Sequence, residues 1–496
     1  MAGSSTATVV RRRTASWWKA ERGLTMATTL IQGGTVVSAI GRREADVLID
    51  GESIAAILAP GHAAAYGITP DVVIDATGKY VVPGGVDAHV HMSLPFGGTV
   101  SADDFDTGSR AAAWGGVTTI IDFASQTVGL DVRETLAARH AEAAGECHVD
   151  YAFHQIIGDV NEESLEAMTY LVENEGVTSF KMFMAYPGVF YSDDGQILRA
   201  MQNASESGAL MMMHAENGIA IDVLVAQSLA RGDSDPKYHS YTRPEELESE
   251  ATHRAIKLAR VAGNVPLYIV HMSASEALEE VSRAQHMGLN VFAETCPQYL
   301  YLSIEDHLAQ PGFEGAKWVC STPLRSKHEH HQKDLWKGLR MNELAVVSTD
   351  HCPFCMNDQK ELGIGDFSKI PNGMGGVEHR MEMIYQGVVM GEMTLERWVE
   401  TCCTTPARMF GLEKKGVLEP GADADVLVWD PNTKTKIGIN DKHHMAMDHS
   451  SYEGFEVDGK VDTVISRGRV VVANDSYLGA KGHGQFVKRS LNKYIH

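Results

Sequence analysis

Between residues 81 and 414, short apolar runs alternate eight times with longer amphipathic stretches. Such runs predict buried parallel strands, and the stretches between them predict the helices that connect parallel strands. Eight alternations in one segment favour a closed barrel over an open doubly wound sheet, so we predict an α/β fold, a (β/α)8 TIM barrel. The predicted strands are Gly85–His91, Thr118–Phe123, Tyr151–Ile157, Ser179–Met184, Leu210–His214, Leu267–His271, Asn290–Glu294 and Ala345–Asp350.

The segments on either side of the predicted barrel have a different pattern. In residues 26–80, and again in 415–475, short β-branched runs alternate with Gly, Asp and Pro turns, which is typical of a small β-sandwich. We predict that both segments build one domain beside the barrel of residues 81–414. Residues 1–25 contain no apolar stretch typical of a secretory signal and are interpreted as an N-terminal extension, ordered or disordered. The basic tail, residues 476–496, is expected either to contact another subunit or to lie free in solvent.

The charge balance and the cysteines limit the possible partners. The chain has 43 Lys and Arg against 65 Asp and Glu, a net charge of −22, which disfavours binding to a nucleic-acid backbone. Its seven cysteines are irregularly spaced, as expected where thiols stay reduced. No apolar run has the length that spans a bilayer. We therefore expect a cytoplasmic protein that acts on a small molecule, with neither nucleic acid nor membrane as a partner.

Side chains that bind metals end four of the predicted strands. His89 and His91 end the first strand, His214 the fifth, His271 the sixth and Asp350 the eighth. A single H-x-H pair is weak evidence, since 22 histidines in 496 residues give about one such pair by chance. Because the carboxyl ends of barrel strands meet at one face, the combination predicts a metal site there.

Lys181 is an unusual residue for its position, because it interrupts the apolar strand F-K-M-F. A buried, unpaired ammonium group is costly. Burial and neighbouring cations lower the pKa of a lysine, so that its neutral amine can react with carbon dioxide, and the resulting carbamate can bridge two metal ions. A lysine that reaches solvent or forms a salt bridge is the alternative interpretation.

From Met26 onward, the chain resembles the dihydropyrimidinase/D-hydantoinase branch of the amidohydrolase superfamily. The motifs that carry this resemblance are P-G-G-V-D-A-H-V-H-M, D-D-F-D-T-G-S-R-A-A-A-W-G-G-V-T-T, F-K-M-F-M-A-Y, H-A-E-N, C-S-T-P-L-R, S-T-D-H-C-P-F and I-P-N-G-M-G-G-V-E-H-R. The resemblance implies two divalent ions, zinc first, with manganese or cobalt as alternatives, and a hydroxide that bridges them. It assigns His89, His91 and Asp350 to the first ion, His214 and His271 to the second, and N6-carboxylated Lys181 to both.

The resemblance also implies roles around the substrate. Asp350 would move a proton from the nucleophile to the leaving nitrogen, and Tyr186 would donate a hydrogen bond to the developing oxyanion, unless it only packs. Backbone groups of Ser321 and Asn372 would bind the amide and ureide edge of the ring. A hydrophobic gate around the substituent of the ring would comprise Leu94, Phe96, Phe183 and Phe190, for which plain packing is the alternative.

The implied reaction is the reversible hydrolysis of cyclic amides by a homotetramer. The substrates would be 5,6-dihydropyrimidines such as dihydrouracil and dihydrothymine, which give N-carbamoyl-β-amino acids, and 5-substituted hydantoins, which give N-carbamoyl amino acids. One alternative is an allantoinase, which would differ mainly in the gate. Another is a non-catalytic dihydropyrimidinase-related protein, although such proteins lack metal ligands and all six ligand positions are filled here. A dihydroorotase carries an arginine soon after H-x-H, where this chain has Met92, Ser93 and Leu94.

Overall fold

The computed structural model describes residues 27–494. The extension predicted for residues 1–25 lies outside them. The strands are β1 Thr28–Ser38, β2 Gly41–Asp50, β3 Ser53–Leu58, β4 Val72–Asp75, β5 Tyr80–Pro83, β6 Gly85–Val90, β7 Pro95–Phe96, β8 Thr99–Val100, β9 Val117–Ser125, β10 Asp150–Ile156, β11 Ser179–Phe183, β12 Leu210–His214, β13 Leu267–Ile269, β14 Val291–Thr295, β15 Val346–Val347, β16 Val426–Lys436, β17 Glu456–Ser466, β18 Arg469–Ala473 and β19 Ser476–Tyr477.

The helices mostly connect or follow the barrel strands. They are α1 His62–Ala65, α2 Phe105–Trp114, α3 Val132–Ala143, α4 Glu162–Tyr170, α5 Asp194–Ser207, α6 Gly218–Ala230, α7 Tyr238–Tyr241, α8 Glu245–Val261, α9 Ser275–His286, α10 Pro297–Tyr301, α11 His331–Arg340, α12 Arg380–Val389, α13 Leu395–Val399 and α14 Thr405–Met409. Short 3-10 turns span Glu314–Trp318, Lys360–Gly363 and Phe367–Lys369, and π-helical turns span Leu171–Glu175, Ile304–Leu308 and Glu400–Thr404. None of the helices in the described range combines the length and the apolar character needed to cross a membrane.

Local sequence signals set the boundaries of the connecting helices, as α5 illustrates. The side chain of Asp193 accepts the backbone N–H of Gln196, and the side chain of Gln196 accepts the backbone N–H of Asp193, which satisfies two free donors at the helix start. Gly208 ends the helix in the left-handed conformation, at φ 75°. The face that α5 buries carries apolar residues at helical spacing, namely Ile197, Ala200, Met201 and Ala204.

All eight predicted barrel strands are present, and the predicted TIM barrel is confirmed. They are parallel, in the order β6-β9-β10-β11-β12-β13-β14-β15. The first and last strands meet where the N–H of His91 donates to the carbonyl of His351 at 2.7 Å. Strands β13 and β15 are shorter than predicted and end before His271 and Asp350, whose φ values of 38° and 51° lie outside the extended region.

The two ends of the chain build one strand-rich domain beside the barrel, as predicted. Its nine strands form one mixed sheet in the order β19-β18-β17-β16-β5-β1-β2-β3, with β4 paired to β1. Strand β5 pairs antiparallel with β16, and this pairing joins the early strands to the late ones. The residues at which the domains divide stay a prediction.

The C-terminal tail docks on the barrel of its own chain. The N–H of Tyr151, at the start of β10, donates to the carbonyl of Gln485 at 3.0 Å, and the N–H of Val487 donates to the carbonyl of Tyr151 at 2.8 Å. The guanidinium of Arg489, a residue only 4% exposed, donates to the carbonyls of Phe153 and Phe410 and to Ser179 Oγ. The tail thus covers the amino-terminal ends of β10 and β11, the end of the barrel opposite the predicted metal site.

We expect Arg489→Met to lower the free energy of unfolding by about 1–3 kcal/mol, because it leaves buried carbonyls without their donors. Turnover should change little, since none of the hydrogen-bond partners of Arg489 is a predicted site residue. Unfolding in urea and steady-state kinetics check the two effects. Lys493→Ala is the control: its ion pair with Glu413 is exposed and contributes less than about 1 kcal/mol. Equal stability of the two variants would contradict a structural role of the tail.

Candidate metal centre

Six predicted metal ligands converge at the carboxyl end of the barrel. Nε2 of His89 lies 3.2 Å from Nε2 of His91 and 2.9 Å from Nζ of Lys181. Oδ1 of Asp350 lies 3.1 Å from Nε2 of His89 and 3.3 Å from Nε2 of His91. Strand β11 supplies Lys181, whereas the other three residues lie at or just beyond the ends of β6 and β15.

The remaining two histidines form a second group beside the first. Nδ1 of His214, at the end of β12, lies 2.9 Å from Nε2 of His271, which follows β13. The ring centroids of His271 and His89 are 5.6 Å apart, so the two groups lie next to each other.

This donor set fits divalent cations. One donor atom each from His89, His91 and Asp350 lie within 4.8 Å of one another, and nitrogen and carboxylate donors at this spacing suit a transition-metal ion. Burial lowers the pKa of His91 to about 3 and lowers that of His271 well below its ordinary value, so both rings are neutral at pH 7, which is the form that ligates a metal.

Lys181 is buried at the centre of the site. It is 1% exposed, and its amine lies over the rings of Phe123 and Phe183, at 4.5 and 5.0 Å from their centroids. Burial lowers the pKa of its amine to about 8. The alternative of a lysine that reaches solvent does not fit this geometry.

Two buried glutamates orient the histidines. Oε1 of Glu294, at the end of β14, contacts Nδ1 of His89 and accepts the N–H of His271 at 3.1 Å, while Oε2 accepts the hydroxyl of Tyr268 at 2.8 Å. Oε2 of Glu216 lies 2.8 Å from Nε2 of His214. Partners of this kind fix the ring and tautomer of a metal ligand. Neither glutamate is among the site residues predicted from the sequence, although one ends a predicted strand and the other stands in H-A-E-N.

Contacts of the residues before and after Asp350 hold its loop in place. Its neighbour Thr349 donates its N–H to Asp87 Oδ1 at 3.2 Å and its hydroxyl to Asp87 Oδ2 at 2.6 Å, and the imidazole of His351 lies 3.1 Å from Asp103. Burial alone would raise the pKa of Asp350, but His89 and His91 lower it well below its ordinary value. Asp350 is therefore a carboxylate at neutral pH.

An apolar rim surrounds the cavity above these residues. The cavity is lined by the predicted metal ligands except His89, by the four predicted gate residues, by Tyr186, Ser321 and Asn372, and by Ile156 and Cys352. Phe190 stacks on Phe183 at 4.9 Å and faces Phe96 at 6.4 Å. Phe183 also stacks on the imidazole of His214, so it packs against a predicted ligand as well as lining the rim.

Tyr186, Ser321 and Asn372 form a polar group in this cavity. The amide of Asn372 donates to Ser321 Oγ at 3.1 Å, and both side chains act to lower the pKa of the nearby Tyr186 hydroxyl. Burial raises the pKa of Tyr186, so its hydroxyl stays protonated and can donate. Its backbone is left-handed, with φ 63°.

The chain is similar to a known protein family in both sequence and structure. Residues 80–471 match the model of the amidohydrolase family. The chain is 61% identical over 468 residues to a D-hydantoinase of Streptomyces coelicolor, covering 94% of this chain and 99% of that protein. It is 46% identical over 469 residues to a D-hydantoinase of Geobacillus stearothermophilus, covering 93% and 97%. The crystal structure of a dihydropyrimidinase from Brevibacillus agri superposes with a TM-score of 0.90 at 45% identity, covering 94% of this chain and 99% of that one.

Proposed function

This chain belongs to the amidohydrolase family, and from that premise we propose that it opens cyclic amide rings by hydrolysis, as an enzyme of the hydantoinase and dihydropyrimidinase type. The substrates are 5,6-dihydropyrimidines and 5-substituted hydantoins, and the products are the N-carbamoyl-β-amino acids and N-carbamoyl amino acids. The observation that carries the proposal is the convergence of four histidines, Lys181 and Asp350 under an apolar rim.

The metal centre is part of the proposal. His89, His91 and Asp350 would hold one divalent ion, His214 and His271 a second, and carboxylated Lys181 would contact both; zinc is the first candidate, with manganese and cobalt as alternatives. Ions bound there would lower the pKa of a water molecule to near neutrality and polarise the carbonyl of the ring.

Asp350 and Tyr186 have separate roles in the reaction. Asp350 accepts a proton from the attacking water, a new C–O bond forms at the ring carbonyl, and the C–N bond breaks. Asp350 returns the proton to the leaving nitrogen, which becomes the amide nitrogen of the carbamoyl product. Tyr186, protonated at neutral pH, donates a hydrogen bond to the carbonyl oxygen as negative charge develops on it.

A polar part and an apolar part of the cavity bind the substrate. Backbone groups at Ser321 and Asn372 bind the amide and ureide edge of the ring, and the rim of Leu94, Phe96, Phe183 and Phe190 accepts its substituent. An apolar rim favours an alkyl or aryl substituent, or none, over the ureido group of allantoin. The apolar rim therefore disfavours an allantoinase, and the six metal-suitable side chains disfavour a non-catalytic scaffold.

Three further properties belong to the proposal. We propose a preference for the D enantiomer of 5-substituted hydantoins, supported by the two relatives named D-hydantoinase. We also propose a homotetramer, from family resemblance, and a cytoplasmic location, from the number and spacing of the cysteines. Chiral analysis of the product, light scattering and cell fractionation are the respective measurements.

Hydrolysis of dihydrouracil, 5-phenylhydantoin and allantoin by the zinc-reconstituted protein tests the proposed function, with metal counted per chain. We expect about two metal ions and a kcat/KM for dihydrouracil or 5-phenylhydantoin at least about tenfold above that for allantoin. A preference for allantoin would make the enzyme an allantoinase. Absence of both metal and turnover would support the scaffold alternative.

A further inference from the structure

Lys360 is a buried lysine whose amine donates hydrogen bonds to backbone carbonyls. It begins the 3-10 turn Lys360–Gly363 and is 0% exposed. Its amine donates to three carbonyl oxygens, those of Val319 at 2.9 Å, Pro371 at 2.7 Å and Gly373 at 2.9 Å. An ammonium group has three N–H donors, so each of them has an acceptor here.

The three carbonyls flank the residues that we assign to ring binding. Val319 lies two residues before Ser321, and Pro371 and Gly373 stand on either side of Asn372. The N–H of Gly373 also donates to the carbonyl of Val319, at 2.9 Å. The lysine therefore ties two segments together that are about fifty residues apart in the chain, at the point where both reach the cavity.

The same segments pack against the loop that carries Asp350. The N–H of Cys352 donates to the carbonyl of Met374 at 3.0 Å. A Cβ atom on Gly373 would lie 2.1 Å from the carbonyl oxygen of Cys352, so the two backbones are in close contact. A shift of the segment around Asn372 would thus change its position relative to the catalytic loop as well as to Ser321.

We propose that Lys360 is a positioning residue for ring binding, which sets the spacing between the backbone of Ser321 and that of Asn372. The inference rests on the proposed function, because it takes these two segments to hold the amide and ureide edge of the ring. Lys360 is not among the residues that line the described cavity, so it acts through the two segments without touching the substrate. Removing its donors leaves the buried carbonyls of Pro371 and Gly373 without their donor and that of Val319 with the N–H of Gly373 alone, which loosens the contact between the segments.

Two substitutions test this role in the metal-loaded enzyme. Lys360→Met keeps much of the side-chain volume and removes all three donors, whereas Lys360→Gln keeps two N–H donors. We expect KM for dihydrouracil and 5-phenylhydantoin to rise at least about tenfold in the methionine variant and less in the glutamine variant, with kcat reduced by a smaller factor than KM rises. Metal content should equal that of the wild type, since Lys360 contacts no predicted ligand in the described structure.

Arg489→Met is the matched control, because Arg489 is also a buried cation that donates to backbone carbonyls, at the opposite end of the barrel. It should lose stability with KM unchanged. A wild-type KM in the folded Lys360 variants would overturn the inference, as would an equal rise in KM in Arg489→Met. Failure of both Lys360 variants to fold would overturn it too, because the residue would then serve the fold as a whole. Absence of turnover in the metal-loaded wild type would instead refute the proposed function, and this inference with it.

Discussion

Lys181→Ala is expected to remove the bound metal ions and to lower kcat/KM for cyclic amides by more than about a thousandfold. Lys181 is the side chain proposed to contact both ions, and its amine lies 2.9 Å from Nε2 of His89 at the centre of the site. Without a bridging group, two cations held close together repel each other, and water at the site loses the activation that they supply. Metal analysis of the purified variant and steady-state hydrolysis of 5-phenylhydantoin measure the two effects.

Two comparisons separate a carbamate from a simple lysine. Lys181→Arg keeps a positive charge but cannot react with carbon dioxide to give the bridging group, so it should be as inactive as the alanine variant. The space left in Lys181→Ala can admit a small carboxylate, and acetate or propionate should restore part of the metal content and activity, whereas methylamine should not. Full metal content and normal turnover in the alanine variant would refute the bridging role, and rescue by the amine alone would refute the carbamate.

Much of this site is predictable because barrel architecture converts sequence position into spatial position. His89, His91, His214 and Lys181 lie in or directly after strands whose apolar pattern is local in the sequence. Once eight such strands are assigned to a parallel barrel, the ends of the strands must meet. His271 and Asp350 were also predicted at strand ends, but their left-handed backbone was not, since nothing in V-H-M or T-D-H requires it.

Other features depend on contacts between distant segments, which no local pattern reveals. In the sequence, Lys360 stands in Q-K-E-L-G, which is typical of a solvated turn, yet three carbonyls from two remote segments surround its amine. Arg489 lies in a basic tail that suggests exposure, but it donates to the carbonyl of Phe153, more than three hundred residues earlier. The two glutamates that contact the histidines are an intermediate case. Glu294 ends a predicted strand and Glu216 stands in H-A-E-N, but carboxylates are common and only the fold pairs them with His89 and His214.

Tyr186→Phe is expected to lower kcat by about 10²–10³-fold while metal content stays at the wild-type level. The substitution keeps the aromatic ring, which contacts Phe96 at 5.3 Å and Phe183 at 6.2 Å, and removes only the hydroxyl. If the residue served packing alone, phenylalanine would preserve its role and kcat would change less than about threefold. Because the lost hydrogen bond strengthens as negative charge develops on the carbonyl oxygen, the effect should fall on kcat more than on KM.

Tyr191→Phe, on the same loop but outside the residues that line the described cavity, is the control and should retain wild-type kcat. Loss of metal from Tyr186→Phe, or equal losses of kcat in the two variants, would contradict the assignment of Tyr186 as the donor to the oxyanion.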